Sequence, residues 1–144
     1  GIPGRGIALN VTDSASVTAA VHDVEADYGQ INVLVNNAGI TRDNLLLRMK
    51  EEEWDEILDT NLKSVFRLSK TLLRGMTKAR FGRIVNISSV VGMIGNAGQS
   101  NYTAAKAGMV GFTKALAREV GSRNITVSSD NECFCIRLIC QYKN

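Results

Sequence analysis

Short apolar runs alternate along the chain with helical patterns, and this alternation restricts the fold more than any other feature. Gly6-Ile7-Ala8-Leu9-Asn10-Val11 reads as a short buried strand and Ile31-Asn32-Val33-Leu34-Val35 as a second. Arg83-Ile84-Val85-Asn86-Ile87 reads as a third, and Ile125-Thr126-Val127 opens a fourth. Between the first two, Thr12-Asp13-Ser14 offers helix caps, Val17, Val21, Val24 and Tyr28 recur at helical spacing, and Gly29 is the stop. Glu51, Glu52 and Glu53 suit the positive end of a helix dipole. From there Trp54, Ile57, Leu58, Val65, Phe66, Leu68, Leu72 and Met76 carry a long apolar stripe, bent or split near Thr60-Asn61. Gly92, Gly95 and Gly98 mark a loop, and a last helix from Tyr102 to Val120 carries Met109, Phe112, Leu116 and Val120. Strands separated by helices pair in parallel through crossovers, and continuous apolar strands suit a sheet covered on both faces. The predicted class is therefore α/β, with a doubly wound parallel sheet.

Ligands of such sheets sit beyond the carboxyl ends of the strands. Those ends hold Asn10-Val11, Asn36-Asn37-Ala38-Gly39 and Ser88-Ser89, so polar residues gather where a site is expected.

Charge is segregated along the 144 residues. The net +3 combines −7 over residues 1–59 with +10 over residues 60–118, where no acidic side chain occurs. Lys63, Arg67, Lys70, Arg74 and Lys78 fall three or four apart, on one helix face. That face is either solvated or attracts an anionic ligand or acidic partner. Aromatic residues do not interleave the basic ones as a base-stacking platform would need, which argues against a nucleic-acid surface. No apolar run is long enough to span a bilayer, and residues 1–6 have no apolar core of a secretory signal, so a cytoplasmic location is expected. The three cysteines, Cys133, Cys135 and Cys140, lie in the last twelve residues. Their odd number and C-x-C-x4-C spacing fit neither a complete disulfide set nor a four-ligand zinc site, so reduced thiols and no metal are expected.

Tyr102 and Lys106 are four apart on one helix and therefore neighbours. A phenol ionises near pH ~10 in water, and a cation within about 4–6 Å favours its phenolate. A tyrosine so tuned can pass a proton near neutral pH. Alone, the pair would read as an exposed helix pair. Ser89, at the end of a strand, can hydrogen-bond a carbonyl oxygen as charge develops on it, or can simply cap a turn. Asn61 can hold a water or cap a helix. Asn37-Ala38-Gly39 brings backbone close to a ligand or makes an ordinary turn.

Asn-Asn-Ala-Gly at 36–39, Asn61, Ser89 and Tyr102-x-x-x-Lys106, in this order and spacing, resemble the short-chain dehydrogenase/reductase family over about residues 5–127. Residues 36–49 and 95–102 resemble its bacterial branch that acts on 3-oxoacyl groups borne by an acyl carrier protein in fatty-acid synthesis. The resemblance implies a Rossmann-like fold and hydride transfer from NADPH to a β-keto group. Tyr102 would be the general acid, and Lys106 would favour its phenolate and hold the nicotinamide ribose. Ser89 would polarise the carbonyl, and Asn61 would support the proton relay. Asn10 and Val11 match positions beside the adenine ring, and Asn37, with Ala38 and Gly39, those beside the adenosine-side ribose. Arg80 and Arg123 match positions that grip the acidic carrier protein. Family members commonly form tetramers through the two long helices. Two other functions remain open: a short-chain dehydrogenase acting on a small ketone, sugar or steroid, and a non-catalytic remnant binding an acidic partner.

The sequence departs from the family at both ends. The Gly-rich turn that seats a cofactor pyrophosphate after a first strand is not matched, so weak NADPH binding and an incomplete sheet are expected. The run 6–11 then either pairs directly with the second strand or stays off the sheet. The expected division is a partial Rossmann-like domain over 1–127 and a tail over 128–144 that does not resemble the family.

Overall fold

A computed structural model describes residues 4–130. Helix α1, Ser14–Tyr28, starts where the Asp13 carboxylate accepts the N–H groups of Ala15 and Ser16, and ends at Gly29, whose φ of 78° favours glycine. Strand β1, Val33–Asn36, follows. Helix α2, Glu51–Leu58, runs through a π-helical turn, Asp59–Lys63, into α3, Ser64–Ala79. The long stripe is thus split at Thr60-Asn61, where a polar residue falls among apolar ones. Strand β2, Gly82–Ile87, short helix α4, Val91–Ile94, helix α5, Ser100–Val120, and strand β3, Ile125–Asp130, complete the order. Part of the glycine-marked loop is thereby helical.

The three strands form an open, parallel, Rossmann-like α/β sheet in the order β1-β2-β3. Val33 pairs with Arg83 and Gly82 with Ile125. Leu34 and Ile84 point to one face and pack with Leu72 and Met76 of α3, Leu116 and Val120 of α5, and Ile125. On the opposite face Val33, Val35 and Val85 are half-buried and Thr126, Ser128 and Asp130 exposed. Among the described residues, then, helices cover one face where the apolar runs predict two.

The run 6–11 is not a strand. It is irregular and largely exposed before α1, with Leu9 40% exposed. No strand among the described residues pairs with it, and a single segment with no ladder partner leaves its backbone to water. Of the two alternatives open from sequence, the segment stays off the sheet. Arg5 ties it to α1 through Asp23 and Asp27. Strand β3 continues past Val127 to Asp130, and Cys133, Cys135 and Cys140 lie outside the described residues.

Candidate functional site

The crossover geometry carries α5 back along the sheet, so its first turns stand over the carboxyl ends of the strands. Lys106 is almost fully buried there, 4% exposed, and its Nζ donates to the carbonyl of Ile87, the last residue of β2, at 2.7 Å. An ammonium buried among helix and strand atoms needs such an acceptor. The same Nζ lies 5.7 Å from the centroid of the Tyr102 ring. Tyr102 is itself half-buried, one turn earlier on α5. Phenol and ammonium therefore share one face at the rim of the sheet.

Ser88 and Ser89 follow β2. Ser88 is buried and its hydroxyl donates to the carbonyl of Lys106 at 3.3 Å, pinning α5 to the strand end. The Ser89 Oγ accepts the N–H of Val91 at 3.3 Å, at the start of α4. That bond uses a lone pair, so the hydroxyl proton can be donated to a carbonyl oxygen. Helix α4 packs on α5 through Gly92: a Cβ there would lie 2.9 Å from Lys106 Cβ and 3.0 Å from Lys106 backbone carbon. Only a residue with no side chain admits this approach, which holds Ser89 near the Tyr102–Lys106 face.

Asn61 is fully buried in the π-helical turn. Its Oδ1 accepts the Ile40 N–H and its Nδ2 donates to the Ile40 carbonyl, both at 2.8 Å. The side chain thus grips the loop that leaves β1. Asn37, Ala38 and Gly39 lie exposed on that loop, with Gly39 against the Asn61 carboxamide. Asn10 and Val11 are farther back, before α1. The Asn10 carboxamide oxygen accepts from the Thr12 N–H and hydroxyl, and the Val11 carbonyl accepts from Arg67 at 3.3 Å. Arg67 also bonds Asp59 at 2.8 Å, linking this segment to the π-helical turn.

Arg80 and Arg123 gather elsewhere. Arg80 ends α3, Arg123 precedes β3, and the Arg80 guanidinium donates to the Ser122 carbonyl at 3.3 Å. Both are exposed, and both stand at the amino ends of the strands. At about 3.3 Å per residue, the six residues of β2 put roughly 20 Å between them and Ser89.

Three residues that sequence reasoning did not count in the site, Asn86, Thr113 and Asn101, support it. Asn36 donates to Asn86 across the β1–β2 pair at 2.7 Å, and Asn86 donates to the Thr113 hydroxyl on α5 at 2.8 Å. Asn101, fully buried, adjoins Tyr102. The available signal was polarity out of place: Asn86 interrupts an apolar strand. Among the described residues, no three His, Cys, Asp or Glu side chains gather as a metal ion would require, and no helix is long and apolar enough to cross a membrane.

Residues 4–131 match the family described as short chain dehydrogenase. The chain is 61% identical over 128 residues to the 3-oxoacyl-[acyl-carrier-protein] reductase FabG of Salmonella typhimurium, covering 89% of this chain and 52% of that protein. It is 62% identical over 126 residues to the protein of the same name from Vibrio cholerae, covering 88% and 52%. With that of Pseudomonas aeruginosa it shares 61% identity over 129 residues, covering 90% and 52%. The chain spans about half the length of the curated relatives it matches.

Proposed function

Because the chain belongs to the short chain dehydrogenase family, we propose that it carries the catalytic segment of an NADPH-dependent 3-oxoacyl-[acyl-carrier-protein] reductase of fatty-acid synthesis. The observation that carries this reading is the Tyr102–Lys106 pair at the strand ends, with the helix that follows Ser89 packed on Lys106 through Gly92. A ketone reduction needs a proton donor, a group that stabilises negative charge on oxygen, and a hydride source. When bound, NADPH supplies the hydride to the carbonyl carbon. The residues present suit it: the Lys106 ammonium at the end of β2 suits the nicotinamide ribose, and the exposed Asn37-Ala38-Gly39 backbone at the end of β1 suits the adenosine-side ribose. Asn10, and Val11 with its carbonyl held by Arg67, suit the adenine side.

In this reading the Ser89 hydroxyl donates a hydrogen bond to the substrate carbonyl oxygen. Tyr102 Oη then gives that oxygen its proton, so the C=O double bond becomes a C–OH single bond. Lys106 stabilises the phenolate left behind. Both Asn61 carboxamide atoms are engaged with Ile40, so Asn61 supports the relay through the loop it holds. The carrier protein docks through Arg80 and Arg123; the Arg80–Ser122 bond joins Arg80 to the turn that bears Arg123. Its acyl group must then cross roughly 20 Å to the far end of the strands. Leu58, Leu62, Phe66 and Phe112 line an apolar groove along the long helices, which supports association of copies into a homotetramer. The expected location is the cytoplasm.

Oxidation of NADPH by the full chain, followed by absorbance with an acetoacetyl thioester, tests the reading. Tyr102→Phe is expected to lower the rate by about 10²–10⁴-fold. Turnover of a small ketone, sugar or steroid in preference to the thioester would move the protein elsewhere in the family. Absence of turnover, with salt-sensitive carrier binding that survives Tyr102→Phe, would make it a non-catalytic binder.

A further inference from the structure

We infer that Asn101 is a positioning residue, which sets the Tyr102 phenol against the loop that Asn61 grips. The inference rests on the reading of Tyr102 as proton donor.

Asn101 stands in the first turn of α5, where polar side chains are ordinarily solvated, yet it is fully buried. Its Nδ2 donates to the Arg42 carbonyl at 3.0 Å and to the Glu53 carbonyl at 3.3 Å. Its Oδ1 accepts the Tyr102 N–H at 2.7 Å. Both carboxamide hydrogens and the oxygen are thereby used. The two carbonyls belong to different elements, the β1–α2 loop and α2 itself. The N–H belongs to the residue that bears the phenol, in the turn of α5 whose N–H groups have no partner inside the helix. Burying an amide costs free energy unless it is paired, so the side chain can sit here only while all three groups stay in place.

Asn61 holds the same loop two residues earlier, at Ile40. The loop is therefore fastened at Ile40 to the π-helical turn and at Arg42 to the start of α5. Gln99 bonds Asp43 at 3.0 Å and the Asn44 N–H bonds the Gly98 carbonyl at 2.8 Å, continuing the seam at the surface. Loosening Asn101 releases one end of the loop and the backbone of Tyr102 together. The phenol oxygen lies at the far end of a long side chain, so a small rotation at the helix start becomes a large displacement of the oxygen. A misplacement of about 1 Å can cost on the order of a hundredfold in rate.

The test uses the full chain with ¹³C-labelled tyrosine, the Tyr102 ring signals being assigned from Tyr102→Phe. Asn101→Ala is expected to shift the Tyr102 ring signals and to speed exchange of the Ile40 N–H about tenfold or more, with Leu34 and Val85 exchange within about twofold of the parent. Asn101→Ser keeps one donor and should give an intermediate shift with the sheet intact. In the acetoacetyl thioester assay, kcat should fall about tenfold with KM within about threefold. Unchanged Tyr102 signals and Ile40 exchange in Asn101→Ala would overturn the inference. So would faster Leu34 and Val85 exchange in both variants, which would make Asn101 a general fold residue. If the parent chain shows no turnover, the proposed function fails, and the spectroscopic arm still decides the role of Asn101.

Discussion

Two apolar runs of similar composition meet different fates in this chain. Residues 6–11 and Val33–Asn36 both read as buried strands, yet only the second forms one. Val33–Asn36 has β2 alongside it, and α3 and α5 close over Leu34. Residues 6–11 have neither, and their attachment is polar: the clamp from neighbouring Arg5 to Asp23 and Asp27, and the bond from Arg67 to the Val11 carbonyl. An apolar run is thus only a candidate strand: pairing and cover decide. Helix α1 shows the same contrast, since its stripe of Val17, Val21, Val24 and Tyr28 fully buries only Val17. By comparison α3 fully buries Val65, Leu72 and Met76.

The contrast is sharpest where stability is concentrated. Met76 is 0% exposed and packs in the cluster under the sheet, with its sulfur against Gly82. Met76→Ala is expected to cost about 2–5 kcal/mol in chemical denaturation. A cost below about 1 kcal/mol would mean that the sheet half is as loosely held as the N-terminal segment.

The next effect concerns the buried polar chain from Asn36 through Asn86 to Thr113. Thr113→Val keeps the shape of the side chain but strands the Asn86 carboxamide hydrogen that it accepts, at a cost of about 1–3 kcal/mol. A double-mutant cycle with Asn86→Ala measures the coupling, and independent costs would show that the chain does not join α5 to the sheet. Leu9→Ala, in the unpaired segment, should change stability by less than about 0.5 kcal/mol. A loss of several times that size would mean that residues 6–11 pack in solution as they do not here.

What the sequence made legible follows the same division. Local signals were reliable: Asp13 and Gly29 bound α1, and the break expected at Thr60-Asn61 is the π-helical turn. The neighbours Tyr102 and Lys106 were legible because helical geometry fixes a four-residue spacing. Non-local facts were not legible. Nothing in residues 6–11 says whether a partner strand is beside them. The periodicity of α5 does not say that Asn101 reaches residues 59 and 48 positions away. Arg80 and Arg123 could be picked from sequence, but their separation from Ser89 depends on the direction of strands whose pairing only the fold supplies.

The smallest expected effect concerns two carboxylates at two helix starts, one in each region. Asp13 opens α1 by accepting two N–H groups, and Glu53 opens α2 by accepting the Lys50 N–H at 2.8 Å, while Asn44 adds a bond at 3.2 Å. The Lys50 backbone bond, and after it Asn44, hold the Glu53 carboxyl below the usual carboxylate range. The folded chain therefore binds that proton less readily than the unfolded one. The resulting stabilisation is complete above the ordinary glutamate range and drains away as pH falls through the lowered value of Glu53. Glu53 is half-buried at the start of α2 and still reached by water, so the effect is small, but it has a clean control. Glu53→Gln keeps an oxygen for the Lys50 N–H and removes the titration. Denaturation midpoints measured from neutral pH into the acid range should fall less steeply in Glu53→Gln than in the parent. Parallel acid slopes would show that the start of α2 does not depend on the charge of Glu53, and would leave its backbone carbonyl, held by Asn101, as its contribution to the fold.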